Sequence, residues 1–152
     1  MILDQGTFFG DNKALNTGAA GTYLLGNVVD LGATPTTRNL GAGLPPLYFV
    51  AQVAVTATSG GSATLQVILA SDAQAAIATD GSATAHYTSA AIAVATLVAG
   101  YRVAATPLPR GNYERYLGVL QVTGTAAFTA GKLDMFITSD VAKFDIYPDA
   151  SN

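Results

Sequence analysis

Two alternating apolar runs in the first half of the chain constrain its fold more than any other feature. In residues 47–58, Leu47, Phe49, Val53 and Val55 fall on one side of a period-two pattern, and Tyr48, Val50, Gln52 and Thr56 on the other. Successive side chains of a strand point to opposite faces, so one face is wholly apolar and the other mixed. In residues 64–70, Leu65, Val67 and Leu69 alternate with Thr64, Gln66 and Ile68. Ser59-Gly60-Gly61-Ser62 between them is turn material, and the two runs read as a β-hairpin. A sheet with one apolar face has to bury that face against a second layer.

The remaining segments extend this pattern. Residues 23–31 read as a first strand closed by Asp30-Leu31-Gly32. Residues 32–46 form a long loop whose only charge is Arg38, either a solvated crossing over one end of the fold or a contact loop. The alanine-rich segment 73–78 suits a short helical turn, broken by Asp80-Gly81-Ser82, and residues 87–98 suit a strand. Tyr101 and Val103 lead into Pro107-Leu108-Pro109, where two missing backbone donors stop a paired strand. Arg110-Gly111-Asn112 is a turn, and residues 116–123 alternate as a strand. Residues 126–131 read as a second hairpin connection. Then Leu133, Met135 and Ile137 point inward, and Lys132, Asp134, Phe136 and Thr138 outward.

The ends read as arms. In residues 1–21, Phe8 and Phe9 either tuck under the domain or dock on a neighbour. Residues 139–152 carry Phe144, Ile146 and Tyr147 before Pro148, and such a tail either covers the sandwich edge or reaches another subunit. Short strands, turn signals at roughly 8–12-residue spacing and the lack of a long helical pattern predict an all-β protein. The expected architecture is a single jelly-roll-like antiparallel β-sandwich over residues 1–152, with arms at 1–21 and 140–152.

Composition limits the chemistry. Charged residues make up 11% of the chain, against about 25% in ordinary soluble domains. The net charge of −3 argues against a nucleic-acid groove, which needs a dense cationic surface. Such a weakly charged surface suits life inside an assembly. Without cysteine there is no thiolate chemistry and no Cys-based zinc site, and the single His86 cannot build a multi-histidine metal centre. The expectation is therefore no cofactor and no metal. No apolar run approaches the roughly 18–20 residues of a membrane helix, and the start lacks a signal-peptide pattern.

Catalytic constellations fare no better. A serine–histidine–aspartate arrangement would have to use His86, and no Gly-x-Ser-x-Gly elbow is present; the plainer role for His86 is a strand-end residue touching solvent or a backbone carbonyl. Most of the ten carboxylates sit at turns, where Asp bonds locally, and no two are spaced as a glycosidase pair. The expectation is a non-enzyme. What the chain offers instead is Tyr and Arg, the side chains that anchor interfaces, gathered in residues 100–124. Glu114 and Arg115 point to opposite faces of a strand and are not expected to pair with each other. They are either solvated charges or a charge register across a subunit contact, with Arg102, Arg110 and Tyr113 near them. The candidate interface residues are Phe8, Phe9, Arg38, Arg102, Arg110, Tyr113, Glu114, Arg115, Phe144 and Tyr147.

A family resemblance sharpens this. The segments Met1-Ile2-Leu3-Asp4, Val29-Asp30-Leu31-Gly32, Arg38-Asn39-Leu40-Gly41 and Pro46-Leu47-Tyr48 come first. They are followed by Ala99-Gly100-Tyr101-Arg102-Val103, Pro107-Leu108-Pro109, Asn112-Tyr113-Glu114-Arg115-Tyr116-Leu117 and Phe128-Thr129-Ala130-Gly131. In this order they resemble the Bbp16-type capsid cement proteins of tailed bacteriophages. The resemblance implies a jelly-roll decoration protein made in the host cytoplasm. It would sit on the outer capsid surface, bind the major capsid protein and clamp neighbouring capsomers against internal DNA pressure. It also implies a homo-oligomer, with a dimer near two-fold positions favoured, and no direct contact with nucleic acid or membrane. It assigns no binding residue. The alternative is a virion-associated carbohydrate-binding jelly-roll module, for which the absence of Trp is unfavourable.

Overall fold

A computed structural model describes residues 7–34 and 38–141. Its strands are β1 (Phe8–Ala14), β2 (Gly21–Asp30), β3 (Tyr48–Ser59), β4 (Thr64–Asp72), β5 (Thr84–Thr88), β6 (Ile92–Ala93), β7 (Arg102–Pro107), β8 (Tyr116–Gly124) and β9 (Phe128–Thr138). They form two antiparallel sheets, ordered β1-β9-β3-β7 and β2-β8-β4-β5, with β6 continuing the line of β5 along β4. Four pairings are nested: β1 with β9, β2 with β8, β3 with β7, and β4 with β5. The chain is thus one long antiparallel hairpin, closed between β4 and β5 and rolled into two layers. This is the jelly-roll arrangement the strand pattern predicts.

The inward faces follow the alternation. Phe9, Phe49, Val53, Leu65, Val67, Leu69, Leu117, Val119, Leu133, Met135 and Ile137 form one buried cluster between the sheets. Phe9 meets Phe49 edge-on at 6.1 Å between ring centroids, a geometry that aligns ring edge with ring face. Val55 departs from its expected place. The β3–β9 register shifts after Val53, so Val55 lies opposite Lys132 rather than inward, and it is 44% exposed. A β-bulge adds one residue to one strand and turns the following side chains over.

Several local expectations are corrected. Residues 59–62 do not close a hairpin: β3 lies between β9 and β7, β4 lies in the other sheet, and the turn carries the chain across the sandwich. Alternation shows which face a residue takes but not which strand it pairs with. The connection at 126–131 is not a hairpin either: β8 pairs with β2 and β4, β9 pairs with β1 and β3 in the other sheet, and residues from Phe128 onward already belong to β9. The strand over 87–98 is broken. β5 ends at Thr88, and Ser89 takes over the ladder by donating its N–H to Val67 O at 2.9 Å and accepting Val67 N–H on its Oγ at 2.9 Å. Residues 73–78 are not helical; Asp72 holds them by accepting from the N–H groups of Gln74 (3.1 Å) and Ala78 (3.0 Å). This segment lays Ile77 over the outer face of the second sheet, against Ala70 and Leu120. Nor are residues 8–14 an arm, since they form the edge strand β1.

One polar side chain inside the sandwich explains how the β1–β2 connection is fixed. Gln121 on β8 is fully buried. Its Oε1 accepts from Asn16 N–H at 2.8 Å, and its Nε2 donates to Asn16 O at 3.0 Å and Thr123 Oγ1 at 2.8 Å. The amide serves as a substitute backbone for a turn that has no strand partner. Gln121→Ala leaves both backbone groups of Asn16 without these bonds inside the protein, so about 2–4 kcal/mol of stability is expected to be lost. Urea unfolding checks this: a midpoint unchanged from the parent would contradict the role.

Candidate functional site

The sheet registers gather three connections at one end of the sandwich. Asp30 and Asp72 both lie opposite Tyr116, and Tyr48 lies opposite Pro107. The loops β2–β3 (31–47), β4–β5 (73–83) and β7–β8 (108–115) therefore share this end. Pro107 closes β7 as expected, and the chain turns through Leu108-Pro109 toward β8.

The long β2–β3 loop is tied down on β7–β8. Arg38 N–H donates to Tyr113 O at 3.1 Å, and Tyr113 N–H donates to Arg38 O at 2.7 Å. Gly111 N–H donates to Asn39 Oδ1 at 3.2 Å. Gly41 packs so closely on the carbonyls of Leu108 and Pro109 that a Cβ there would collide with backbone. Beyond a short 3-10 turn at Leu40–Ala42, the loop runs exposed from Ala42 to Pro46, and Leu44 is 94% exposed.

Charge at this end is organised by Asp30. Arg115 donates Nε to Asp30 Oδ1 at 2.9 Å and Nη2 to Asp30 Oδ2 at 2.8 Å, a two-pronged pair, and its guanidinium lies 4.8 Å over the Tyr116 ring. Gly32 N–H also donates to Asp30 Oδ1 at 2.8 Å. The Arg115 bond and the Gly32 N–H lower the Asp30 carboxyl to about 2. Arg115 thus pairs across strands with Asp30 and not with its neighbour Glu114.

Beneath the loops, His86 on β5 stacks flat on Tyr113, with ring centroids 3.7 Å apart and planes 9° from parallel. Its Nε2 is 2.8 Å from Ser71 Oγ on β4, and Ser71 Oγ accepts Glu114 N–H at 3.1 Å. Tyr113 O–H donates to Pro109 O at 2.7 Å. Burial lowers the His86 pKa and raises that of Tyr113 to about 12, so both rings favour their neutral forms. A serine–histidine contact can serve nucleophilic chemistry, but Ser71 is fully buried and its oxygen already holds the β7–β8 backbone. The arrangement acts as a strut joining β4, β5 and the β7–β8 loop. Beside it lies a cleft of about 490 Å³ lined by Thr84, His86, Arg110, Asn112 and Glu114 among others.

Of the expected interface residues, the structure brings Arg38, Arg110, Tyr113, Glu114 and Arg115 to this end. Tyr113 is fully buried and holds the loop from within, so it is not a contact residue. Phe9 is core for the same reason, the plainer of its two expected fates. Phe8 lies opposite Phe136 on the outer face of the first sheet, and Arg102 lies opposite Gln52 at the far end of β7. Phe144 and Tyr147 lie outside the described residues. Sequence reasoning did not single out Asp30, Ser71 or Leu44. Asp30 and Ser71 matter only through cross-strand partners, and Leu44 only because its loop is pinned on both sides.

Fold and site together define the class: an antiparallel jelly roll with one loop-built, locked end that presents arginines and a protruding leucine. The Bbp16 family model matches residues 9–137, from within β1 to within β9, and the chain belongs to this phage-related family. No curated protein matches it.

Two titrations test the site. Because the Asp30 carboxyl is depressed from 3.8 to about 2, its contribution to stability is complete above pH 3.8 and is lost as the pH falls to about 2. Asp30→Asn should therefore unfold more easily than the parent at neutral pH, and the gap should close over that acid window; a gap independent of pH would contradict the pairing. His86 is the single histidine, so its NMR titration is unambiguous. A midpoint below 6.5 is expected, with its stability contribution complete above that pH and falling below it. A midpoint above 6.5 would contradict the buried stack.

Proposed function

We propose that the protein is a structural, non-enzymatic component of a phage head: a capsid cement or decoration protein. It binds the outer surface of the icosahedral shell and bridges neighbouring capsomers of the major capsid protein. The observation that carries this reading is the Bbp16 family match across the whole nest of strands, β1 to β9.

The physics of the fold supports it. A packed head pushes its capsomers apart. A protein attached to two of them has to detach before they separate, so each bridge adds to the barrier. Once one contact is made, the second is effectively intramolecular, and modest individual affinities suffice. A clamp of this kind needs stiffness, and nested pairing between two sheets supplies it. The locked loop end supplies a contact surface that does not have to be ordered on binding. Leu44 is the natural anchor, as an exposed apolar side chain on a loop held at Arg38, Asn39 and Gly41. A homodimer would offer two such ends, one to each capsomer.

The test is co-sedimentation with purified heads that lack the protein. The reading predicts saturable binding and a higher temperature for DNA release from decorated heads. Absence of binding, or binding to host glycans in its place, would contradict it. Leu44→Asp should weaken head binding by about tenfold or more, since burying a leucine contributes about 1.5–3 kcal/mol, and should leave the melting temperature unchanged. Undiminished binding by that variant would rule out Leu44 as the anchor.

A further inference from the structure

A bulge places the single histidine. The β4–β5 register passes from Leu69 opposite Tyr87 to Ala70 opposite Ala85, so His86 is the extra residue on β5. Bulges re-aim side chains, and this one sets the imidazole against Ser71 and Tyr113. The hydrogen bonds at Ser71 then fix where the imidazole proton sits. Ser71 is fully buried, and its Oγ accepts the Glu114 N–H. Its own hydroxyl proton has one acceptor among the described residues, Nε2 of His86 at 2.8 Å. A buried hydroxyl left without an acceptor is costly, so Ser71 donates to Nε2. A neutral imidazole carries one N–H, which is therefore on Nδ1. Nδ1 has no hydrogen-bond partner among the described residues. It lies on the side of Gly111, where an added Cβ would be 3.7 Å away, and both residues line the cleft beside the strut.

The rest of the cleft supplies charges of both signs. Arg110 and Asn112 are exposed and Glu114 is half-buried, and all three line it with His86. Arg115 is taken by Asp30, but among the described residues neither Arg110 nor Glu114 has an ion-pair partner. A carboxylate alone would meet Glu114 as a like charge, and a cation alone would meet Arg110. A molecule bearing both charges sets each against its opposite. The lining offers no Tyr, Phe or Trp ring for a sugar to stack on. We propose that this cleft binds a small zwitterion of the amino-acid class. Its carboxylate accepts from Nδ1–H of His86, from Arg110 and from Asn112, and its ammonium donates to Glu114. A volume of about 490 Å³ is ample for such a molecule. This inference does not depend on the proposed function.

The experiment uses the full chain. His86 is the only histidine, so its long-range proton–nitrogen NMR spectrum reports the tautomer directly. The proton is expected on Nδ1; a proton on Nε2 would overturn the proposal. Glycine and 4-aminobutyrate, which hold the two charges at two separations, are then titrated beside acetate and methylammonium. At least one zwitterion should shift the His86 ring signals saturably and bind about tenfold more tightly, or better, than either single-charge probe. No saturable shift with either zwitterion, or equal binding of acetate, would overturn the proposal. Arg110→Gln and Glu114→Gln should each weaken zwitterion binding about tenfold or more and leave the melting temperature unchanged. Gly111→Ala, which sets a methyl group against Nδ1 while keeping the N–H bond to Asn39, should weaken it likewise. Undiminished binding by any of the three would overturn the proposal as well.

Discussion

Everything in this molecule hangs on antiparallel pairing between strands that are distant in sequence. β1 holds β9, β2 holds β8 and β3 holds β7, so the two ends of the chain are tied before any loop is considered. Each pairing presents an apolar side to the opposite sheet, and the resulting core runs from Phe9 to Ile137. A closed nest has no local unit that can give way alone, because releasing one strand exposes the apolar face of its partner. That property fits the proposed role of a bridge between capsomers.

The loop end inherits its rigidity from this nest. Tyr113 is buried, stacked on His86 and bonded to Pro109, and its backbone grips Arg38. Asp30 and Arg115 bind the end of β2 to the start of β8. Polar groups are here used as ties: Ser71 on Glu114, Gln121 on Asn16, Asp72 on the 73–83 segment. What remains facing outward is a pinned loop with Leu44 at its tip.

Much of this was legible from residue order. The period-two faces of β3, β4, β8 and β9 could be read directly, and Pro107 marked the end of β7. What could not be read was pairing. Ser59-Gly60-Gly61-Ser62 has the composition of a hairpin turn, yet it spans two sheets, because strand partners are chosen by the whole nest and not by the nearest neighbour. Val55 was misplaced because a bulge leaves no mark in hydrophobic periodicity. The alanines at 73–78 suggested a helix, but Asp72 and the apolar surface beneath Ile77 offered a better outcome. The clustering of Tyr and Arg in residues 100–124 falls only in part at the loop end, where Arg110, Tyr113 and Arg115 lie, while Arg102 sits at the far end of β7. It could not separate Tyr113, which holds the loop from inside, from Arg115, which lies outside. Nor could it show that His86 and Ser71 meet, since that contact depends on the β4–β5 register.

The central claim is that this sandwich is an inert clamp on a protein shell. The most direct measurement is a cryo-electron microscopy map of phage heads purified with and without the protein. The account predicts density for the sandwich on the outside of the head, touching two neighbouring capsomers. Density elsewhere in the particle, or on a single capsomer with no second contact, would contradict it.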